Sequence, residues 1–206
     1  MIIILLLFIY IGITVYLHFK YPLLKWEWSK IDLKKIVFPT NFLWGTATAA
    51  HQVEGGCTNN NWSNWEKLTD EAGNARIKNN QMSGNACNHW DLFPDDFERL
   101  QDLGVDAYRF SLEWSKIEPQ EGVFDQSVIE HYSGVIQCLI NKSITPVITL
   151  HHFTHPSWFD KLGAFEKSEN IVFFKRFCEK MFVQFSGQVE MWCTINEPGV
   201  FAVMGY

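Results

Sequence analysis

Hydrophobic and polar positions divide the chain into two regimes. Residues 1–19 carry no charge and are apolar almost throughout, opening Met1-Ile2-Ile3-Ile4-Leu5-Leu6-Leu7-Phe8, and the first charge is Lys20. A run of this length reads as a single membrane-spanning helix. A cleaved signal peptide is the competing reading, but no basic stretch precedes the run and no small-x-small cleavage site closes it. Lys20, Lys25, Lys30, Lys34 and Lys35 follow the run. They place what lies beyond it, weakly, on the cytoplasmic side. The expected organisation is an anchor over 1–19, a linker over 20–37 and a folded part over 38–206.

From Phe38 the pattern alternates. An apolar run, Phe42 to Ala50, predicts a first strand ending at His51-Gln52-Val53-Glu54-Gly55. After a polar loop rich in Asn, Gly and Trp, Pro94-Asp95-Asp96 opens a helix with Phe97, Leu100 and Leu103 on one face and Gly104 as its stop. Val105–Leu112 predicts a second strand. Val128, Ile129, Tyr132, Val135, Ile136, Leu139 and Ile140 recur at helical spacing over 126–141. Thr145–Leu150 predicts a third strand, ending in His151-His152. Ser168 is placed to cap a third helix, whose stripe is Ile171, Phe174, Phe177, Cys178, Met181, Phe182 and Phe185, with Gly187 as its stop. Val189–Ile195 predicts a fourth strand, ending in Asn196-Glu197-Pro198.

The order β-α-β-α-β-α-β predicts βαβ units and a parallel sheet. No Gly-x-Gly-x-x-Gly or Walker-type loop follows the first strand, which disfavours nucleotide folds. Polar residues gather instead after the C-terminal ends of all four strands. In a (β/α)8 TIM barrel that face carries the active site.

Composition narrows the picture. The chain has 206 residues, 47% hydrophobic and 19% charged, with a net charge of −6. It can bury a core, and its acidity speaks against a nucleic-acid partner. Five cysteines, widely spaced and odd in number, form neither a disulfide scaffold nor a zinc-knuckle pattern. Two Asn-x-Ser triplets, at Asn61 and Asn141, suit an extracellular side but arise by chance in an Asn-rich chain.

Four strand-end groups carry chemistry. Glu197, after an apolar strand and before Pro198, would have its charged form disfavoured and its pKa raised, which suits a general acid. Read alone, the same Asn-Glu-Pro is simply an exposed loop opening. His152 and Asn196 suit sugar hydroxyls, while His151, His152 and His155 read alone are packing residues. They lack a carboxylate or Cys at ligand spacing, so no metal is expected. Arg109 lies mid-strand among apolar neighbours and calls for an anionic partner.

Several stretches together resemble glycosyl hydrolase family 1, the β-glucosidase-like retaining enzymes. They are Phe42-Leu43-Trp44-Gly45-Thr46-Ala47-Thr48-Ala49-Ala50-His51-Gln52-Val53-Glu54-Gly55, then Cys87-Asn88-His89-Trp90, then Tyr108-Arg109-Phe110-Ser111-Leu112-Glu113-Trp114, then Thr149-Leu150-His151-His152-Phe153, then Thr194-Ile195-Asn196-Glu197-Pro198. Each is weak alone; five in order are specific. The resemblance implies an α/β fold of the (β/α)8 barrel family, here a partial barrel of about four strands. It implies Glu197 as acid/base, Arg109 beside the nucleophile, and Gln52, His152 and Asn196 as contacts to a β-glycoside or oligosaccharide. It implies no metal and no cofactor. Phe153 stands where Trp is usual, and Ala164-Phe165 where Gly-Trp is usual, which bears on substrate preference.

Retaining glycosidases need two carboxyls roughly 5 Å apart. The resemblance puts the nucleophile in a Thr-Glu-Asn-Gly-type motif on the seventh strand, and no such motif occurs in these 206 residues. Glu113 and Glu118 are poor substitutes. The chain alone is therefore expected to be inactive, with a second chain as one way to complete the barrel. The alternatives are a membrane-anchored, non-catalytic sugar-binding protein and a truncated gene remnant.

Overall fold

The structure, a computed structural model, describes residues 2–22 and 27–205. They fall into two compact units, Met1–Phe42 and Leu43–Tyr206. Part of the expected linker, Lys25 included, lies outside the described residues.

In the first unit, helix α1 runs Ile2–Lys20 and is followed by 3-10 turns at Trp28–Lys30 and Leu33–Lys35. Its described side chains, from Ile4 on, are exposed on every face. The membrane-spanning expectation is not met: among the described residues no helix is long and apolar enough to cross a membrane.

In the second unit, β1 (Gly45–Ala47) is followed by the short helices α2 (Ala50–Val53) and α3 (Asn61–Trp65) and by α4 (His89–Leu103). Then come β2 (Ala107–Ser111), α5 (Trp114–Ile117), α6 (Gln126–Asn141), β3 (Thr145–His151), α7 (Ser157–Lys161), α8 (Ile171–Phe185), β4 (Met191–Ile195) and α9 (Pro198–Gly205). The four strands form one parallel sheet in the order β1-β2-β3-β4, as the alternation predicts.

The period of two sorts the strands. Tyr108, Phe110, Ile148 and Leu150 point to the helix side and join Phe97, Ile129, Ile136, Phe177, Met181 and Phe185 in the core. Arg109, Val147, Thr149 and Cys193 alternate with them and share the opposite face. Gly45 is required where β1 meets β2, because a Cβ there would lie 2.7 Å from the Ala107 carbonyl oxygen.

Three element boundaries differ from expectation. The first strand is only Gly45–Ala47, because beyond the Thr48 N–H bond to the Arg109 carbonyl the chain turns into α2, whose Ala50 N–H is taken by the Ser111 hydroxyl oxygen. Helix α4 starts at His89, with Pro94 inside it. Asn88 at φ 53° turns the chain into the helix, and His89 contacts Asp96 seven residues on. As the sixth residue of the helix, Pro94 has no N–H to donate to the Trp90 carbonyl four residues back. Ser168 starts a 3-10 turn rather than capping α8. Asn170 occupies the cap position and donates to the carbonyls of Leu162 and Ala164. Gly104 closes α4 in the left-handed region at φ 72°, as expected.

Candidate active site

Parallel strands put all their C-terminal ends on one side, so loops distant in sequence meet there. Arg109, on the open face of β2, reaches across β3 toward β4. Its Nε donates to Thr149 Oγ1 at 2.7 Å and its Nη2 to Asn196 Oδ1 at 2.5 Å. Asn196 is buried, and its N–H donates to the His151 carbonyl, which extends the β3–β4 pairing one residue past the strand. The expected carboxylate partner of Arg109 is absent among the described residues: its partners are neutral. Thr149, which sequence reasoning passed over, is one of them.

His152 is half-buried beside this group. Burial, with the Arg109 charge second, lowers its pKa to about 4. Its Nδ1 is buried and has no hydrogen-bond partner. A neutral imidazole with an uncommitted ring nitrogen is suited to a hydroxyl ligand. His151 is fully buried, and its pKa is pushed down by burial and by His155 and His152. It packs against Phe165 and Phe201.

Glu197 stands one residue past Asn196 with φ 42°, a conformation that non-glycine residues adopt at a cost. Its side chain is exposed, so the apolar surroundings expected around it are not there. Gln52, on α2, is also exposed and rims an open cavity of about 930 Å³. Trp62, Trp65, Phe153 and Phe201 line that cavity too, whereas Arg109, His152, Asn196 and Glu197 do not. The structure thus joins Arg109 and Asn196 directly, sets His152 beside them, leaves Gln52 on the cavity rim and leaves Glu197 exposed outside it.

The remaining strand-end carboxylates have structural roles. Glu54 is buried and its pKa is raised by burial; it accepts from Lys116 Nζ at 2.9 Å and from the Tyr132 hydroxyl at 2.7 Å. Glu113 accepts from Asn60, Ser115 and Thr154. Glu118 accepts from Trp114, the Gly122 N–H and Arg176. Glu113 and Glu118 are fully buried, so neither can reach a sugar.

The parallel sheet thus carries a hydrogen-bonding cluster and a strained Glu at its strand ends. The glycosyl hydrolase family 1 model matches residues 34–206. The chain is 35% identical over 179 residues to β-glucosidase A of Thermotoga maritima, covering 85% of this chain and 39% of that protein. It is 35% identical over 175 residues to human cytosolic β-glucosidase, covering 83% and 37%. A β-glycosidase from Pyrococcus horikoshii superposes with a TM-score of 0.73 at 40% identity, over 82% of this chain and 38% of that one. A Thermotoga maritima β-glucosidase in complex with castanospermine superposes with a TM-score of 0.77 at 32% identity. The chain belongs to glycosyl hydrolase family 1, and it spans about two-fifths of the length of these relatives.

Proposed function

We propose that residues 43–206 are the acid/base part of a retaining β-glucosidase. The observation that carries this reading is the Arg109–Asn196 bond across the strand ends, with Glu197 one residue beyond on a strained backbone. In the proposed reaction Glu197 protonates the glycosidic oxygen as the bond to C1 breaks. A carboxylate from the rest of the barrel attacks C1 from the opposite face. Water then displaces that carboxylate, with Glu197 now taking its proton, so the anomeric configuration is retained. His152 and Asn196 hold sugar hydroxyls, and Gln52 closes over them from α2. Arg109 offers the attacking carboxylate its cationic partner.

These 206 residues alone are expected to give no turnover, because the reaction needs the second carboxylate. The reading is tested by grafting residues 43–206 in place of the matching segment of Thermotoga maritima β-glucosidase A. A folded chimera should hydrolyse an aryl β-glucoside and release the β-anomer first by proton NMR. A folded chimera with no turnover would overturn the reading.

The exposed apolar surface of α1 supports attachment to a lipid surface, with the lysines after it favouring the cytoplasmic side. The chain should float with liposomes in a density gradient, and the chain without residues 1–22 should not. Equal behaviour of the two would remove the proposal.

A further inference from the structure

Below the strand ends, three buried side chains of different chemistry converge. His51, Cys57 and Glu113 are 4%, 3% and 0% exposed, and one ligand atom from each lies within 4.8 Å of the others. They come from α2, the loop after it and the turn between β2 and α5. We propose that they form a three-ligand Zn²⁺ site, its fourth position left to water, that fixes the loop after β1 to β2.

The hydrogen bonds define the state of His51. Asn60 Oδ1 accepts the Ser63 N–H at 2.7 Å, which fixes the orientation of the Asn60 amide. Its Nδ2 therefore donates to His51 Nδ1 at 3.1 Å and to Glu113 Oε1 at 3.2 Å. His51 Nδ1 must then carry a lone pair, and Nε2 carries the proton, given to Glu66 Oε1 at 3.1 Å. A ring nitrogen facing the cluster with the other N–H held by a carboxylate is the outer-shell arrangement of metal-bound histidines. Glu113 is likewise held by the Ser115 and Thr154 hydroxyls.

Glu113 supplies an independent observation. It is fully buried, yet its hydrogen-bond donors are all neutral. Buried charges are normally paired or bound to metal. The Cys57 sulfur has long contacts to the carbonyls of Gly55 at 3.7 Å and Ala50 at 4.0 Å, and Lys116 lies beside it. Zn²⁺ with one thiolate, one carboxylate and one neutral imidazole is a neutral set, and mixed sulfur, nitrogen and oxygen donors suit this ion.

Binding forms the S–Zn bond, and the Cys57 thiol proton leaves to solvent. A thiol must lose its proton to bind the metal, so uptake should strengthen with rising pH. The Asn60 amide, now between His51 and Glu113, moves aside. The ligand atoms draw in to about 3.3–3.8 Å, the spacing set by zinc bonds of about 2.0–2.3 Å. The site would hold His51 firm next to Gln52, on the rim of the cavity.

The test titrates the reduced, chelator-stripped 206-residue chain with Co²⁺. One equivalent should bring thiolate-to-cobalt absorption that Cys57→Ser abolishes and Cys87→Ser keeps. Glu66→Gln should weaken affinity by about 10- to 100-fold. No such absorption, or absorption that survives Cys57→Ser, overturns the proposal. A second readout needs no variant: Zn²⁺ should raise the thermal midpoint of the unmutated chain, and an unchanged midpoint overturns the proposal as well.

Discussion

His151 and His152, at the end of β3, are proton-poor because of where they sit, and this gives stability a pH dependence. His152 has a folded pKa of about 4, below its unfolded value, and that of His151 is lowered well below the ordinary range. A depressed pKa means that the unfolded chain takes up the proton first. The stability tied to neutral His152 is thus complete above about pH 6.5 and is lost as pH falls toward 4. Urea midpoints measured from pH 7.5 to 4 should fall across that window, and His152→Gln should flatten part of the fall. An identical slope in the variant would refute the assignment. Tyr132 is a second residue of consequence. Its hydroxyl accepts the Glu113 N–H at 2.8 Å and donates to Glu54, both in the interior. Tyr132→Phe leaves both partners short of a bond and should cost about 1–3 kcal/mol by urea denaturation.

Among the elements, the junction of β1 and β2 is the most exacting. Gly45→Ala places a methyl against the Ala107 backbone, which cannot swing away as a side chain could. The expected cost is about 1–3 kcal/mol. Hydrogen exchange should show early loss of protection at the Ala107 and Thr48 amides; unchanged protection would contradict the close approach. The same elements show what could be read from sequence. Helix α6 follows from its stripe because Ile129, Tyr132, Ile136 and Leu139 recur at helical spacing and are all buried. Strand β1 does not, because an apolar run shows burial but not which residues pair, and here only three do. The start of α4 is hidden for a related reason. It is set by Asn88 in a left-handed conformation and by the contact of His89 with Asp96, neither of which leaves a periodic trace. For the site, Arg109 stands out as a charge inside an apolar strand, and His152 and Asn196 as polar groups just past apolar strands. Their pairing, and the part played by Thr149, depend on parallel register and so require the folded sheet.

For the molecule as a whole, β1 pairs only with β2, and β4 only with β3, among the described residues. Free edges of a parallel sheet invite further strands. Under the proposed reading, the strands that complete the barrel pair with these edges. Without them the 206-residue chain should self-associate at micromolar concentration by light scattering; a stable monomer would show that the edges are protected. The claim that matters most is that this part of the barrel brings the acid/base. It is tested most directly by kcat for an aryl β-glucoside in the chimera carrying residues 43–206, with and without Glu197→Gln. The account expects the substitution to lower kcat by about 10²- to 10⁴-fold with the fold intact. A Glu197→Gln chimera as fast as its parent would contradict it.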